Sequence, residues 1–240
     1  MGRDTIRRCG GLLALTLALT STLGLGAAQV GAETHTYTID RAHSSVGFEV
    51  RHFFNPVPGR FTRFDGKVDY DPDDPTVSKV HLVIEMDSVD TGLEPRDRHL
   101  RSADFFDVEN YPQASFRSKT VRRGADGTLK VDGELTLRGV TRELTAEVEV
   151  LGFMELGPEV AKGGFSARFA IDRKDFGVSW NRALDHGGAV LGDEVSIRIV
   201  LQVDRAPAGG PGPAAAPAGP AGGATDDAPG DADSGAASKP

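Results

Sequence analysis

Cysteine is nearly missing from this chain of 240 residues, whose single cysteine, Cys9, lies in an N-terminal segment that we expect to be removed. The mature chain would then have no disulfide, no thiolate nucleophile and no cysteine ligand for a metal. Polar aromatic residues are scarce as well, with one tryptophan and three tyrosines beside 12 phenylalanines. The sequence therefore offers much aromatic area but few hydroxyl or indole groups for directed hydrogen bonds.

Positive charge is also in short supply. Lysine and arginine number 27 against 35 aspartates and glutamates, the formal net charge is −8, and no run of lysine or arginine exceeds two residues. Such a chain repels the phosphate backbone, so no nucleic-acid partner is expected. The sequence contains neither a glycine-rich phosphate loop nor a G-x-S-x-G motif, so nucleotide binding and α/β-hydrolase chemistry have no motif to support them.

Both ends of the chain differ from its middle. Residues 1–32 combine three arginines, an apolar stretch (Leu12–Leu25) and small residues before Glu33, which is typical of a secretory signal peptide. The stretch is too short for a span of about 20 residues, so no stable membrane insertion is expected, although an uncleaved anchor is the alternative. Residues 206–240 contain 27 alanines, glycines and prolines and no valine, isoleucine, leucine or aromatic residue, and we predict that they are disordered. Residues 33–205 remain as one domain, exported to a periplasm or to the cell wall or medium.

Apolar and polar residues alternate through most of this domain, as they do along a strand with one face toward a core. Roughly eight or nine such segments are separated by turn residues: 36–39, 46–50, 64–70, 80–86, 114–121, 129–137, 144–150, 165–171 and 195–203. We interpret Asn55-Pro56 as one of the turns, and predict a short helix over Leu93–Phe106 and a short turn over Arg173–Phe176. The pattern predicts an all-β fold, an antiparallel sandwich or barrel, and closure into a barrel would remove the exposed sheet edges.

The inward positions of these segments are rich in phenylalanine. On pattern alone the rings fit either a packed core or the lining of a cavity, because a barrel of about eight strands can enclose one small ligand. The segment from Arg96 to His99 is a dense polar group on the predicted helix. It suits either ion pairs that fix the helix across the barrel or a polar rim that orients a ligand head group.

Histidines are the candidates for catalysis or metal binding, but they are scattered. No H-x-x-x-H pair occurs in the sequence, so no metal site and no cofactor are predicted. His81 falls on a charged strand face and is expected to be exposed. His43 and His99 are interpreted as capping or hydrogen-bonding residues, although spacing alone does not exclude a catalytic triad. A secreted hydrolase or lyase that uses His43 or His99 with nearby carboxylates is therefore kept as an alternative.

Several motifs, in order, resemble those of the YceI-like family over about Thr36 to Val203. Tyr37–Phe48 resembles the opening strand pair of the family and Gly59–Gly66 its next strand. The most specific stretch is Arg96–Val108 with Tyr111-Pro112, and three later segments complete the set: Leu135–Thr141, Asp172–Gly177 and Gly192–Val195. The resemblance does not extend to the tail after Arg205. Between Asn55 and Gly59 the chain has a proline pair, which we expect to stiffen a loop that borders the pocket entrance.

The resemblance implies a lipocalin-like antiparallel β-barrel with an elongated apolar pocket. Members of the family bind amphiphilic lipids, notably polyisoprenoids such as isoprenoid quinones or prenyl phosphates, and are often exported. No catalytic apparatus is attached to the family, so the expected function is lipid transport, storage or sequestration without turnover. Members are also known as dimers, which leaves a homodimer open. A third hypothesis makes the tail the active part of a cell-envelope interaction protein.

The resemblance also implies which residues contact the lipid. The predicted pocket lining consists of Phe48, Val50, Phe64, Leu82, Ile84, Met86, Phe105, Phe106, Phe116, Phe165, Phe169 and Trp180. Three polar residues, His43, Arg96 and His99, are predicted near one end of the pocket, where they would receive a head group.

Overall fold

The structure is a computed structural model, and it describes residues 34–157, 160–181 and 190–206. The predicted signal peptide, the tail from residue 207 onward and the turn expected at His186–Gly188 lie outside these ranges. Within them, no helix is long and apolar enough to cross a membrane.

The described residues form one antiparallel sheet of eleven strands and a single α-helix. The strands are β1 His35–Ile39, β2 Ser45–His52, β3 Asn55–Phe61, β4 Phe64–Tyr70, β5 Lys79–Glu85, β6 Val89–Asp90, β7 Gln113–Arg123, β8 Leu129–Leu137, β9 Val140–Gly157, β10 Val160–Asp172 and β11 Leu191–Arg205. The helix, α1, spans Glu94–Arg101. Short 3₁₀ helices cover Arg41–His43, Pro75–Val77, Met86–Ser88 and Arg173–Phe176, and the last of these confirms the predicted turn.

Eight strands close into a barrel in the order β1, β4, β5, β7, β8, β9, β10 and β11, with β11 returning to β1. Closure depends on β11, which is 15 residues long. Its C-terminal end pairs with β1 (Ile39 opposite Val203), and its N-terminal part pairs with β2 (Val50 opposite Val195). The predicted all-β barrel of about eight strands with one short helix is therefore confirmed.

The prediction of a turn at Asn55-Pro56 is wrong, because this segment forms strand β3. Pro56 and Pro58 lie opposite Arg51 and Glu49 of β2. In an antiparallel pair, hydrogen-bonded and non-hydrogen-bonded positions alternate. Because the two-residue hairpin makes His52 and Asn55 a hydrogen-bonded pair, both prolines occupy non-hydrogen-bonded positions and their nitrogen atoms face the other edge. β6 covers that edge only at Arg60 and Phe61. Proline is tolerated where a strand edge has no partner, because no ladder hydrogen bond is lost there.

The helix is shorter than predicted. It was expected to run from Leu93 to Phe106, but it ends at Arg101. The Ser102 hydroxyl donates to the carbonyl of His99 at 2.8 Å, and the backbone then turns so that the Phe106 N–H reaches the carbonyl of Leu100. Serine competes in this way with helical backbone bonds, and here it turns Phe105 and Phe106 back toward the barrel.

The two ends of the barrel are built differently. At the aromatic end, defined by Tyr37, Tyr70, Phe153 and Phe165, the rings pack with centroids 4.8 to 5.6 Å apart. At the helix end, defined by α1 with Phe105, Phe106 and Leu191, side chains from α1 and from the loop after it line the cavity together with Leu191, the first residue of β11. One prediction about the outer wall of the barrel, the exposure of His81, is wrong. His81 is half-buried rather than exposed, its Nε2 has no hydrogen-bond partner, and burial lowers its pKa.

Gly133 in β8 tests how tightly the wall is packed. A Cβ at this position would overlap the carbonyl oxygen of Arg117 and lie 2.5 Å from Cζ of Phe116. We expect Gly133→Ala to lower the free energy of unfolding by roughly 1–3 kcal/mol, because backbone cannot yield as a flexible side chain would. Urea denaturation followed by circular dichroism measures the change.

The matched control is Gly47→Ala in β2, where the added methyl would find its nearest neighbour, the Arg198 carbonyl oxygen, at an ordinary 3.5 Å. This variant should be as stable as the original chain. Equal stability of both variants would contradict the close approach at Gly133.

Candidate functional site

The barrel encloses an elongated apolar cavity with two chambers. The first chamber has a volume of about 160 Å³ and the second a volume of about 120 Å³. Both are lined by Phe48, Phe61, Ile84, Leu135 and Ile197, so the chambers adjoin one another at these five side chains. An apolar cavity of this kind stays dry and accepts apolar ligands.

The first chamber lies toward the aromatic end. Its remaining lining is almost wholly aliphatic and aromatic, with Val46, Val68, Val80, Leu82, Phe116, Val121, Leu129, Val131, Ala146, Val148, Phe165, Ala167, Phe169, Ile199 and Leu201 beside Gly47, Ser78 and Lys79. Ala146 and Ala167 leave room that larger side chains would fill. The alternating pattern in the sequence therefore produces a lined cavity as well as a core.

The second chamber lies at the helix end. Its other lining residues are Val50, Met86, Leu100, Phe105, Phe106, Ala114, Leu137, Ile171, Arg173, Val178, Leu191 and Val195. Leu100 comes from α1, whose first turn carries Glu94 and Asp97 and whose last turn carries Arg98 and His99. This order of charges is favourable with the helix dipole, and α1 places none of these charged residues in the chamber lining.

Most of the predicted lining residues do line the cavity. These are Phe48, Val50, Leu82, Ile84, Met86, Phe105, Phe106, Phe116, Phe165 and Phe169. Phe64 and Trp180 do not. Phe64 is buried in the wall among the core residues around the first chamber, and Trp180 packs behind Phe105 with the ring centroids 5.3 Å apart. Contact of any of these residues with a lipid stays a prediction.

The three predicted polar residues do not line the cavity, and they do not lie together. His99 pairs with Asp104 through Nε2 at 2.9 Å, and its ring lies 5.0 Å from that of Trp180. Arg96 donates from Nε to the Thr91 hydroxyl and from Nη2 to the Thr91 carbonyl, both at 2.7 Å. The Arg96 bonds fasten α1 to the segment just before it, and they are hydrogen bonds to a threonine rather than the ion pairs across the barrel that one interpretation of this segment expected.

His43 lies far from His99. Its Nδ1 is 2.8 Å from Oδ2 of Asp40, and this hydrogen bond lowers the pKa of Asp40. Asp40 also accepts a hydrogen bond from Gln202, so His43 lies at the level of residue 202 of β11. His99 contacts Trp180, and the Arg173 guanidinium bonds to the carbonyls of both Trp180 and Gly192, so His99 lies at the level of residue 192 of the same strand. Ten residues of β11 separate those two levels, about 33 Å at about 3.3 Å per residue. One head group cannot contact both histidines.

Arg173 is the functional candidate that the sequence did not single out. It was named only as the first residue of a predicted turn and within a family motif, yet the residue is 4% exposed and is one of those that line the second chamber. It donates to the carbonyls of Val178, Trp180 and Gly192 at 2.7 to 2.9 Å and to Asp193 at 3.0 Å. The pKa of Asp193 is lowered, first by a hydrogen bond from Lys174 and then by Arg173.

The chemistry available at this cavity is that of apolar contact. The polar lining side chains are Ser78 and Lys79 in the first chamber and Arg173 in the second. Four hydrogen bonds already occupy Arg173. Walls of this composition exclude water and bind hydrocarbon by area, and no histidine or carboxylate lines either chamber in the described parts of the chain.

Comparison with known proteins agrees with this geometry. Residues 37–203 match the YceI-like domain. A UPF0312 protein of Shewanella baltica is 38% identical over 154 residues, which cover 63% of this chain and 81% of that protein. Protein YceI of Salmonella arizonae is 38% identical over 171 residues, which cover 70% of this chain and 86% of that protein.

Solved structures share the barrel. BcnA of Burkholderia cenocepacia superposes with a TM-score of 0.60 at 26% identity and covers 68% of this chain and 98% of its own. A polyisoprenoid binding domain from Saccharophagus degradans superposes with a TM-score of 0.54 at 20% identity and covers 71% of this chain and 98% of its own. This second likeness is one of fold.

Arg173 allows a test of how the helix end is held. Arg173→Met keeps similar volume but leaves three backbone carbonyls without their donor, so we expect unfolding to become easier by at least about 3 kcal/mol. The control is Lys174→Met, which removes an exposed ion pair with the same Asp193 at 2.7 Å and should cost less than about 1 kcal/mol. Urea denaturation compares the two, and similar losses in both would argue against the anchoring role of Arg173.

Proposed function

This chain belongs to the YceI-like family, and on that premise we propose that it is an exported protein that holds an amphiphilic lipid in its barrel for transport, storage or sequestration. The observation that carries the proposal is the two-chambered cavity. Its two parts follow one another along the barrel and share five apolar side chains. A long, flexible hydrocarbon chain fits such a space better than a compact polar molecule does.

The ligand class proposed is a polyisoprenoid, such as an isoprenoid quinone or a prenyl phosphate. A prenyl tail offers apolar area and methyl branches but needs no directed hydrogen bonds. Burying about 400 Å² of it at about 25 cal/mol per Å² would contribute about 10 kcal/mol before the cost of ordering the tail. The polyisoprenoid binding domain from Saccharophagus degradans has the same fold, which supports this choice of class.

We further propose that binding occurs without turnover. His43 and His99 each have a carboxylate partner, Asp40 and Asp104, but neither histidine lines a chamber. A general base has to reach the proton that it abstracts, and a lipid inside the barrel would be behind Phe105 as seen from His99. The hydrolase or lyase alternative thus has two candidate bases and no substrate position next to either.

Export is proposed from the sequence of residues 1–32, whose arginines and apolar stretch fit a secretory signal peptide. Delivery would be to a periplasm or to the cell wall or medium. A homodimer remains an expectation from the resemblance. A deletion of residues 207–240 tests whether the tail has a role of its own.

Native mass spectrometry of the purified protein tests the central proposal. We expect an adduct of several hundred daltons that is released on denaturation and that organic extraction identifies as a prenyl lipid. Delipidated protein should take up a prenyl quinone or prenyl phosphate. A clean mass together with no uptake of either probe would reject lipid binding.

The junction of the two chambers predicts a dependence on ligand length. Leu135→Trp should block passage between the chambers, because Leu135 lines both. We expect affinity for a long polyprenyl probe to fall by about tenfold or more while a short prenyl probe that fits one chamber binds as before.

The control is Thr136→Trp on the same strand, since Thr136 faces outward and bonds to Thr141. It should leave both affinities unchanged. If Leu135→Trp does not fold, the milder Ala146→Leu, which narrows only the first chamber, should weaken the long probe alone. Equal binding of long and short probes by every folded variant would count against an elongated ligand.

A further inference from the structure

The hairpin between β2 and β3 ends in two phenylalanines. His52 and Asn55 pair directly, so the connection consists only of Phe53 and Phe54. Phe54 is 94% exposed and Phe53 is 42% exposed. These are large apolar side chains at the most protruding point of a hairpin, where water would favour small or polar residues.

The residue types also disagree with the turn. A hairpin connection of two residues favours glycine, asparagine or aspartate, because at least one position needs a positive φ. Phe53 occupies that position with φ of 53°, which is a genuine outlier for a bulky residue. Its conformation is secured by two hydrogen bonds, from its N–H to the Val190 carbonyl at 2.8 Å and from Arg51 Nη1 to its own carbonyl at 2.7 Å. A sequence that breaks a local rule without a gain in packing points to function.

The position of this tip relates it to the cavity. Val50, three residues before Phe53, lines the second chamber, and so does Leu191, which pairs with His52. The tip therefore stands at the helix end. The other end of the barrel is filled by the packed rings of the aromatic end, so a lipid has its shorter route to the surface beside Phe53 and Phe54.

We propose that Phe53 and Phe54 insert into the surface of a lipid bilayer and thereby bring the second chamber to the membrane that supplies its ligand. This inference rests on the proposed function. Aromatic side chains favour the boundary between head groups and acyl chains. Arg51 and His52 beside them are exposed and lie at the level where anionic head groups would be.

A second copy of this chain suits the tip less well. Two phenylalanines bury about 150–250 Å² each, well below the roughly 800 Å² per partner of a stable protein interface. A bilayer needs no complementary shape and can accept so small an insertion. The area at the tip therefore favours a lipid surface.

The decisive variant replaces both residues with those that the turn prefers, Phe53→Gly together with Phe54→Asn. Flotation with vesicles of phosphatidylethanolamine and phosphatidylglycerol should show binding reduced by about tenfold or more, since the inserted apolar area is gone. The melting temperature should be equal or higher, because glycine adopts the positive φ without strain. Loss of binding without loss of stability separates membrane docking from a structural role.

The matched control removes two equally prominent apolar residues elsewhere, Met154→Ser with Leu156→Ser, which are 62% and 54% exposed. Met154 pairs with Lys162, which pairs with Asp204 at the other end of β11 from Leu191. At about 3.3 Å per residue this pair lies about 40 Å from the tip. Vesicle binding should persist in this control, and an equal loss in both variants would reject a localised docking site.

Two further outcomes would also overturn the inference. One is vesicle binding by the tip variant at the level of the original chain. The other is a dimer in sedimentation velocity that the tip variant abolishes, which would assign the phenylalanines to a second copy. Uptake of a prenyl quinone from detergent micelles should be the same in both variants and the original chain. If that uptake is absent while the tip still binds vesicles, the proposed ligand fails and the docking site stands.

Discussion

The return of β11 to β1 is the constraint on which the remaining structure depends. It turns a sheet into a closed barrel, so every strand of the ring has neighbours on both sides and alternate residues point to one interior. A slip of one residue in this register would send Ile199, Leu201 and Val203 to the outside. Because the register is fixed, the volume inside depends on side-chain size, and small residues such as Ala146 and Ala167 leave part of it empty.

The empty volume and its two ends together explain how the barrel can work as a container. The aromatic end is filled by rings that contact one another, whereas the helix end is covered by α1 and by segments tied down through hydrogen bonds. Arg173 is central to that covering, since one buried guanidinium holds three carbonyls from two separate segments of the chain, those of Val178 and Trp180 and that of Gly192. Hydrogen bonds to a charged donor are strong, so a few of them hold this covering in position.

The sequence predicted the wall far better than the polar residues. Phe48, Leu82 and Phe165 could be placed because a period of two assigns each strand residue to one face. β3 was missed because its two prolines resemble a turn, and only the absence of a partner on one edge makes them acceptable in a strand. The distance between His43 and His99 could not be predicted, since it depends on how β11 pairs with strands remote in sequence. Arg173 was missed for the same reason, because the carbonyls that give it a role come together only in the fold.

Backbone strain adds an independent argument about which end of the barrel matters for function. In the described parts of the chain, the non-glycine residues with positive φ are Phe53, Asp107 and Arg138. Each of them lies close in sequence to a residue that lines the second chamber. Asp107 directly follows Phe106, Arg138 directly follows Leu137, and Phe53 is three residues beyond Val50. Such conformations persist only where the surroundings impose them, and they concentrate at functional sites. No residue of the aromatic end is strained in this way, so the helix end is where the fold has accepted unfavourable backbone in exchange for the position of side chains beside the cavity.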